Sequence, residues 1–232
     1  MTLSIGYERL HKLCFLDRDH LFGRTINNVY LLDKFSNRLG DVDKDPFIGY
    51  FGNEYELQKK RVMFLGRSNA ESAGWGQDDD RQINKAFRIF RNSVNDHAKL
   101  YRNYADEYLQ AMPKWNIYQN FVKYFLDNAN LDIHKVAYAN SVPFRYKGGP
   151  SIGAFEIAFE NFTSELISIF KPDIIVPLGI HDDERLLQRF LPAEQLESIK
   201  ICKGIKRTNG DNFRCSQGEE LLDEAIEEFL KP

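Results

Sequence analysis

The sequence predicts an α/β protein, a three-layer α/β/α sandwich around a four-stranded, mainly parallel sheet. Three observations carry this. Short, uniformly apolar runs end at glycine, proline or asparagine, as strands buried on both faces do. Amphipathic helical stretches separate those runs. The two kinds of segment alternate along the chain, which implies βαβ units. At 232 residues the chain is long enough to bury a sizeable core. Residues 1–232 are therefore expected to form one domain, with 1–60 as an N-terminal elaboration.

Residues 1–60 hold the apolar runs Val29 to Phe35 and Phe47 to Phe51, punctuated by Gly40, Pro46, Gly49 and Gly52. This reads as a helix or two followed by loop and edge structure. Val62 to Leu65, closed by Gly66, is the first clear strand. After a loop from Ala73 to Asp80, a stripe of Ile83, Phe87, Phe90, Val94, Ala98, Tyr101, Ala105, Tyr108 and Met112 predicts one long helix, which Pro113 stops. Ile117, Phe121, Tyr124 and Phe125 mark the next helix. Lys135 to Val142 reads as a strand ending at Pro143. A Gly/Pro-rich loop, Lys147 to Pro150, then opens a helix faced by Ile152, Phe155, Phe159, Phe162, Leu166 and Ile169. Lys171-Pro172-Asp173 breaks it, and Ile174 to Gly179 is the third strand. Asp182 or Asp183 can cap a short helix through Phe190, and Ser198 to Cys202 is a fourth strand. Ser216 with Glu219 forms a capping box that opens the last helix.

Composition excludes several classes. With 43% apolar and 28% charged residues the chain has the make-up of a globular protein. Its 31 basic and 34 acidic residues give a net charge of −3, which argues against a uniformly basic polyanion binder. No stretch approaches the roughly 18 apolar residues of a membrane span. Met1 to Leu10 carries Glu8 and Arg9 and lacks a signal-peptide block. Three cysteines, Cys14, Cys202 and Cys215, make no disulfide framework and fit a reducing compartment. A cytoplasmic monomer without a membrane partner is expected.

In α/β sheets, ligands bind outside the carboxyl ends of the strands. That rule selects the loops Gly66 to Asp80, Asn140 to Pro150, Gly179 to Asp183 and Cys202 to Arg214. Gly66 to Ser72 begins like a phosphate-binding loop, but Glu71-Ser72 stands where Gly-Lys is required, placing a carboxylate where phosphate must approach. The same loop fits Gly-x-Ser-x-Ala, near a hydrolase nucleophile elbow, with Ser68 as nucleophile and His97, His134 or His181 as downstream base.

A third pattern covers more of the chain. A strand ending in Gly66 with a short polar loop comes first. Val136 to Pro143 then leads into Phe144-Arg145-Tyr146-Lys147-Gly148-Gly149-Pro150. Lys171-Pro172-Asp173-Ile174-Ile175-Val176 and Leu178-Gly179 follow. In order and spacing, over about residues 60–215, these pieces resemble the uracil-DNA glycosylase superfamily. The resemblance implies a uracil-DNA glycosylase-like fold and a hydrolase of DNA repair that works by base flipping. It would cleave the N-glycosidic bond of a damaged, mispaired or modified base. It puts Asn140 where an amide reads the edge of the flipped base, offering a donor and an acceptor. Ser68 occupies the place of the family's water-positioning residue. Asn69 and Glu71 stand close behind, one to orient water and one to act as base. Trp75 is placed to stack on the base. Arg67, Arg145, Lys147, Lys203, Lys206 and Arg207 would hold DNA phosphates.

Two departures bear on this. The family's His-Pro-Ser type motif is replaced by Cys202 to Gly210, a basic, Gly-containing loop, so the histidine that helps the base depart is missing. Phe144 stands where iron–sulfur members carry Cys, so no cluster is expected. No cofactor or metal is implied; the histidines occur singly, without zinc spacing. The alternative is a catalytically silent nucleic-acid-binding or base-sensing module on the same fold, and the missing histidine motif is its best support. Plainer roles exist for individual residues. The aromatic stripe is core, Trp75 and Trp115 are packing residues, Asp78 to Asp80 is a solvated helix start, and Asn140 is a strand end bonded to its own backbone. The last helix carries six acidic and no basic residues between Glu219 and Glu228, which leaves the rest of the chain at +3. It is expected to face away from a basic cleft.

Overall fold

A computed structural model describes residues 6–24, 29–68, 77–178, 187–189, 191–203 and 216–232. Among these, five strands form one sheet: β1 (Tyr50–Phe51), β2 (Val62–Gly66), β3 (Val136–Asn140), β4 (Ile174–Pro177) and β5 (Lys200–Ile201). Their order is β1-β3-β2-β4-β5. β2 pairs in parallel with β3 and with β4, and β4 with β5, whereas β1 pairs antiparallel with β3. The architecture is α/β, but the sheet is mixed and five-stranded where a four-stranded one is expected. The added strand comes from the N-terminal quarter. At two residues, bounded by Gly49 and Gly52, it is too short to show a period in sequence.

β2, β3 and β4 are buried along their whole length, so helices cover both faces. Alternation assigns the layers. Phe64 meets Phe125 edge-on at 5.3 Å, and Phe125 meets Phe229. That face therefore carries α6 (Lys123–Ala129) and α10 (Ser216–Leu230). Phe51, in register with Ala137, meets Phe170 at 5.3 Å. The opposite face carries α7 (Ile152–Ala158) and α8 (Ser164–Phe170), joined by a π-helical turn at Phe159–Thr163. Arg61 forks onto both carboxylate oxygens of Asp173 at 2.9 and 3.1 Å, tying the starts of β2 and β4 together.

The single long helix expected from Ile83 to Met112 is two helices, α4 (Gln77–Arg91) and α5 (His97–Ala111), closely packed on each other. Asp96 takes a left-handed conformation at the break (φ 59°), and Val94 is 86% exposed. The apolar spacing runs in phase across the turn, and Asn and Asp tolerate left-handed backbone without a glycine to announce it. Ala98, at the start of α5, is exposed as well. The other seven positions of the stripe are core as expected: Ile83, Phe87, Phe90, Tyr101, Ala105, Tyr108 and Met112 are buried. Through Tyr101 on Phe51 and Tyr108 on Tyr50, α5 lies along the β1 edge and shields it.

Residues before β2 add α1 (Tyr7–Leu13), α2 (Arg18–Arg24) and α3 (Val29–Leu32). They share the main core through Leu10, Cys14, Phe22, Phe35, Ile48, Tyr50 and Phe51. Phe144 packs edge-on against Phe22 and Phe35. A short helix, α9 (Ala193–Ser198), precedes β5. No helix among the described residues is long and apolar enough to cross a membrane.

Candidate functional site

The chain leaves β2 toward β3 on one side, and the chain leaving β3 returns to β4 on the other. The connections therefore diverge between β2 and β4, and the carboxyl ends of these strands border the crevice where such sheets bind ligands. Gly66 stands at this end, in register with Asn140. The ladder runs past both strands, with Ser141 N–H donating to Gly66 O and Val142 N–H to Arg67 O, each at 2.8 Å. Thr163 Oγ1, in the π-helical turn, donates to Ser141 O at 2.7 Å and fixes the strand end from behind.

Asn140 is 1% exposed. Its Oδ1 accepts from the Tyr138 hydroxyl at 3.2 Å, so the amide is oriented by a side chain two residues back on the same strand face. Burial pushes the Tyr138 hydroxyl up from its ordinary value, so it stays protonated and able to donate at neutral pH. Tyr138 is held by ring contacts with Phe47 and Tyr50. A Cβ at Gly66 would stand 2.4 Å from both the Asn140 Oδ1 and the Tyr138 hydroxyl. Glycine is the residue that lets β2 pass this close to the amide.

Of the other expected site residues, Ser68 is half-buried two positions beyond β2. Arg67 lies against the loop after β3: a Cβ on Gly149 would come within 2.4 Å of its Nη2. Lys147 is exposed. Arg145, expected to hold phosphate, is instead mostly buried between two carboxylates, with Nε on Asp43 at 3.1 Å and Nη2 on Asp80 at 3.1 Å. Arg38 joins Asp80 at 2.7 Å. Burial raises the Asp80 carboxyl above its usual value, with both arginines pulling it back. Arg145 thus braces the loop, a role its place in a basic run did not reveal. Asn69, Glu71, Trp75, Lys206 and Arg207 lie outside the described residues, as does the helix start expected at Asp182 or Asp183.

Lys203 follows β5, two strands away from Gly66, and pairs with Glu224 of α10 at 3.3 Å. Lys200 approaches Glu228 at 3.8 Å. The acidic helix therefore does not face away from the basic residue at this strand end: it packs along α6 and neutralises it. Charge counts along the chain cannot say which strand a terminal helix lies beside.

Of the histidines that a Ser68 hydrolase would need, His134 precedes β3 and stands at the amino end of the sheet. His97 stacks on His11 at 4.1 Å, and His181 is outside the described residues. Among the described residues no His, Cys, Asp and Glu group is placed to hold a metal. Burial pushes the Cys202 thiol up to about 11, so it is inert at neutral pH. A polar cavity of about 30 Å³ lies between Asp43, Asp45, Asp80, Asn84, Tyr104 and Arg145. It has room for a water or two and none for a nucleobase.

A scan against models of protein families returns no match to this chain. A search of curated proteins returns none either.

Proposed function

We propose that this protein binds DNA and hydrolyses the N-glycosidic bond of a damaged, mispaired or modified base flipped from the helix. The observation that carries this reading is the pairing of Gly66 with Asn140 at the carboxyl end of the parallel strands. One strand ends without a side chain beside the amide that ends its neighbour. An amide held by Tyr138 is pre-oriented, as a group that reads a base edge must be. Asn69 or Glu71 would position the water in this scheme, and Arg67 and Lys147 would meet the backbone. Flipping is least costly for a mispaired or damaged base, which itself contributes selectivity.

Glycosylase assays on oligonucleotides carrying uracil, hypoxanthine or hypermodified bases test it. Abasic product from at least one is expected, and Asn140→Asp should change which base is removed. A silent base-sensing module is the second reading, favoured by the loop that replaces the histidine motif. Binding across the panel with no abasic product would establish it over the enzyme. Labelling of Ser68 by a fluorophosphonate would overturn both in favour of a hydrolase.

A further inference from the structure

Residues 34–36 run antiparallel to residues 145–147. Phe35 bridges Tyr146, Ser36 N–H donates to Arg145 O at 3.0 Å, and Lys147 N–H donates to Lys34 O at 2.6 Å. Phe35 and Tyr146 are buried, which leaves Lys34 and Lys147 opposite one another on the exposed side of this strap. Two like charges facing each other across an antiparallel pair destabilise it. Among the described residues neither lysine has an ion pair, and Asp33, next to Lys34 in the chain, is exposed. Tyr30 is 63% exposed, and Lys34 Nζ lies over its ring at 5.1 Å from the centroid. Residues 145–147 of the strap follow, a few residues on, the carboxyl end of β3, where Asn140 stands in register with Gly66.

We infer that Lys34, Lys147 and Tyr30 form a nucleotide subsite that takes one phosphate of a DNA strand between the two ammonium groups and a base on the Tyr30 ring. A bound phosphate relieves the repulsion between the lysines, and an exposed aromatic beside them supplies the stacking face that single strands use. The subsite rests on the DNA reading above but draws on residues of the N-terminal segment, which the family resemblance does not reach. It favours an unpaired strand, because a stacked duplex offers no free base face to Tyr30.

The test is fluorescence anisotropy of the full chain with a short fluorescein-labelled oligonucleotide, single-stranded and as a duplex, over a range of KCl. Lys34→Ala with Lys147→Ala should bind several-fold more weakly and lose about one unit of salt slope. Lys34→Arg with Lys147→Arg should keep both. Tyr30→Ala should weaken single-strand binding by about tenfold with the slope unchanged, and Tyr30→Phe should restore it. Wild-type binding that all these variants reproduce would overturn the subsite and leave the DNA reading standing. No binding by the wild type would overturn both. Lysine-dependent binding to phosphatidylserine vesicles without DNA binding would replace DNA by a membrane.

Discussion

A methyl group at position 66 would press on the amide oxygen of Asn140 and the hydroxyl of Tyr138, each 2.4 Å from its carbon. Neither neighbour can retreat easily, since both are buried in the sheet. Gly66→Ala should therefore cost about 1–3 kcal/mol by overpacking and turn the amide away from its present orientation. Urea denaturation checks it; an unaltered midpoint would mean that β2 shifts freely. Asp45 provides a pH-dependent case at the same scale. Burial raises its carboxyl above the ordinary value, against the pull of Arg91 at 2.6 Å and of Arg88. Its ionised form thus costs stability near neutral pH. That cost fades as pH falls through the raised folded value toward the unfolded one. The stability lead of the wild type over Asp45→Asn should accordingly widen between about pH 7 and pH 4. A gap that stays constant or narrows on acidification would contradict the direction of the shift.

At the scale of elements, helix ends show where backbone conformation was left to an unfavoured residue. α8 ends at Lys171, which is left-handed (φ 50°) and exposed, before Pro172. Glycine carries no Cβ penalty there. Lys171→Gly should stabilise the protein by about 0.5–1 kcal/mol and raise the melting temperature by about 1–4 °C. A calorimetric scan that shows a lower transition would refute it. Asn130 and Asp96 take the same conformation after α6 and before α5. These turns were hard to see in the sequence because Lys, Asn and Asp do not punctuate a chain as glycine and proline do. In contrast, Lys171-Pro172 and Met112-Pro113 were legible as breaks, because proline cannot continue a helix.

At the scale of the molecule, the first sixty residues do more than elaborate one end. They supply β1, which covers the open edge of β3, and they bury Phe22, Phe35, Phe47, Ile48, Tyr50, Phe51 and Tyr55 in the common core. A chain of residues 61–232 should therefore fail to reach a fixed native packing. It is expected to bind anilinonaphthalene sulfonate and to lose its near-ultraviolet circular dichroism while keeping helical signal. A cooperative melt from that fragment would show instead that the later segments suffice. The acidic last helix is bound into the same body. Lys60 Nζ reaches the carbonyl groups of Phe229 and Lys231 at its end, and Tyr124 donates to Asp223 at 2.9 Å.

Four strands, the helices between them and the strand-end loops as the place for a site could be read from the residues, because buried parallel strands and amphipathic helices impose periods on a sequence. The same holds for Gly66 and Asn140, which punctuate apolar runs. Tertiary structure alone decided that these two residues are neighbours in register, since β2 and β3 are separated by about seventy residues of chain. It also decided that Arg145 is spent on Asp43 and Asp80, that Lys203 meets Glu224, and that Lys34 stands opposite Lys147. A charge has no period, and what it meets depends on which distant segments the fold brings beside it.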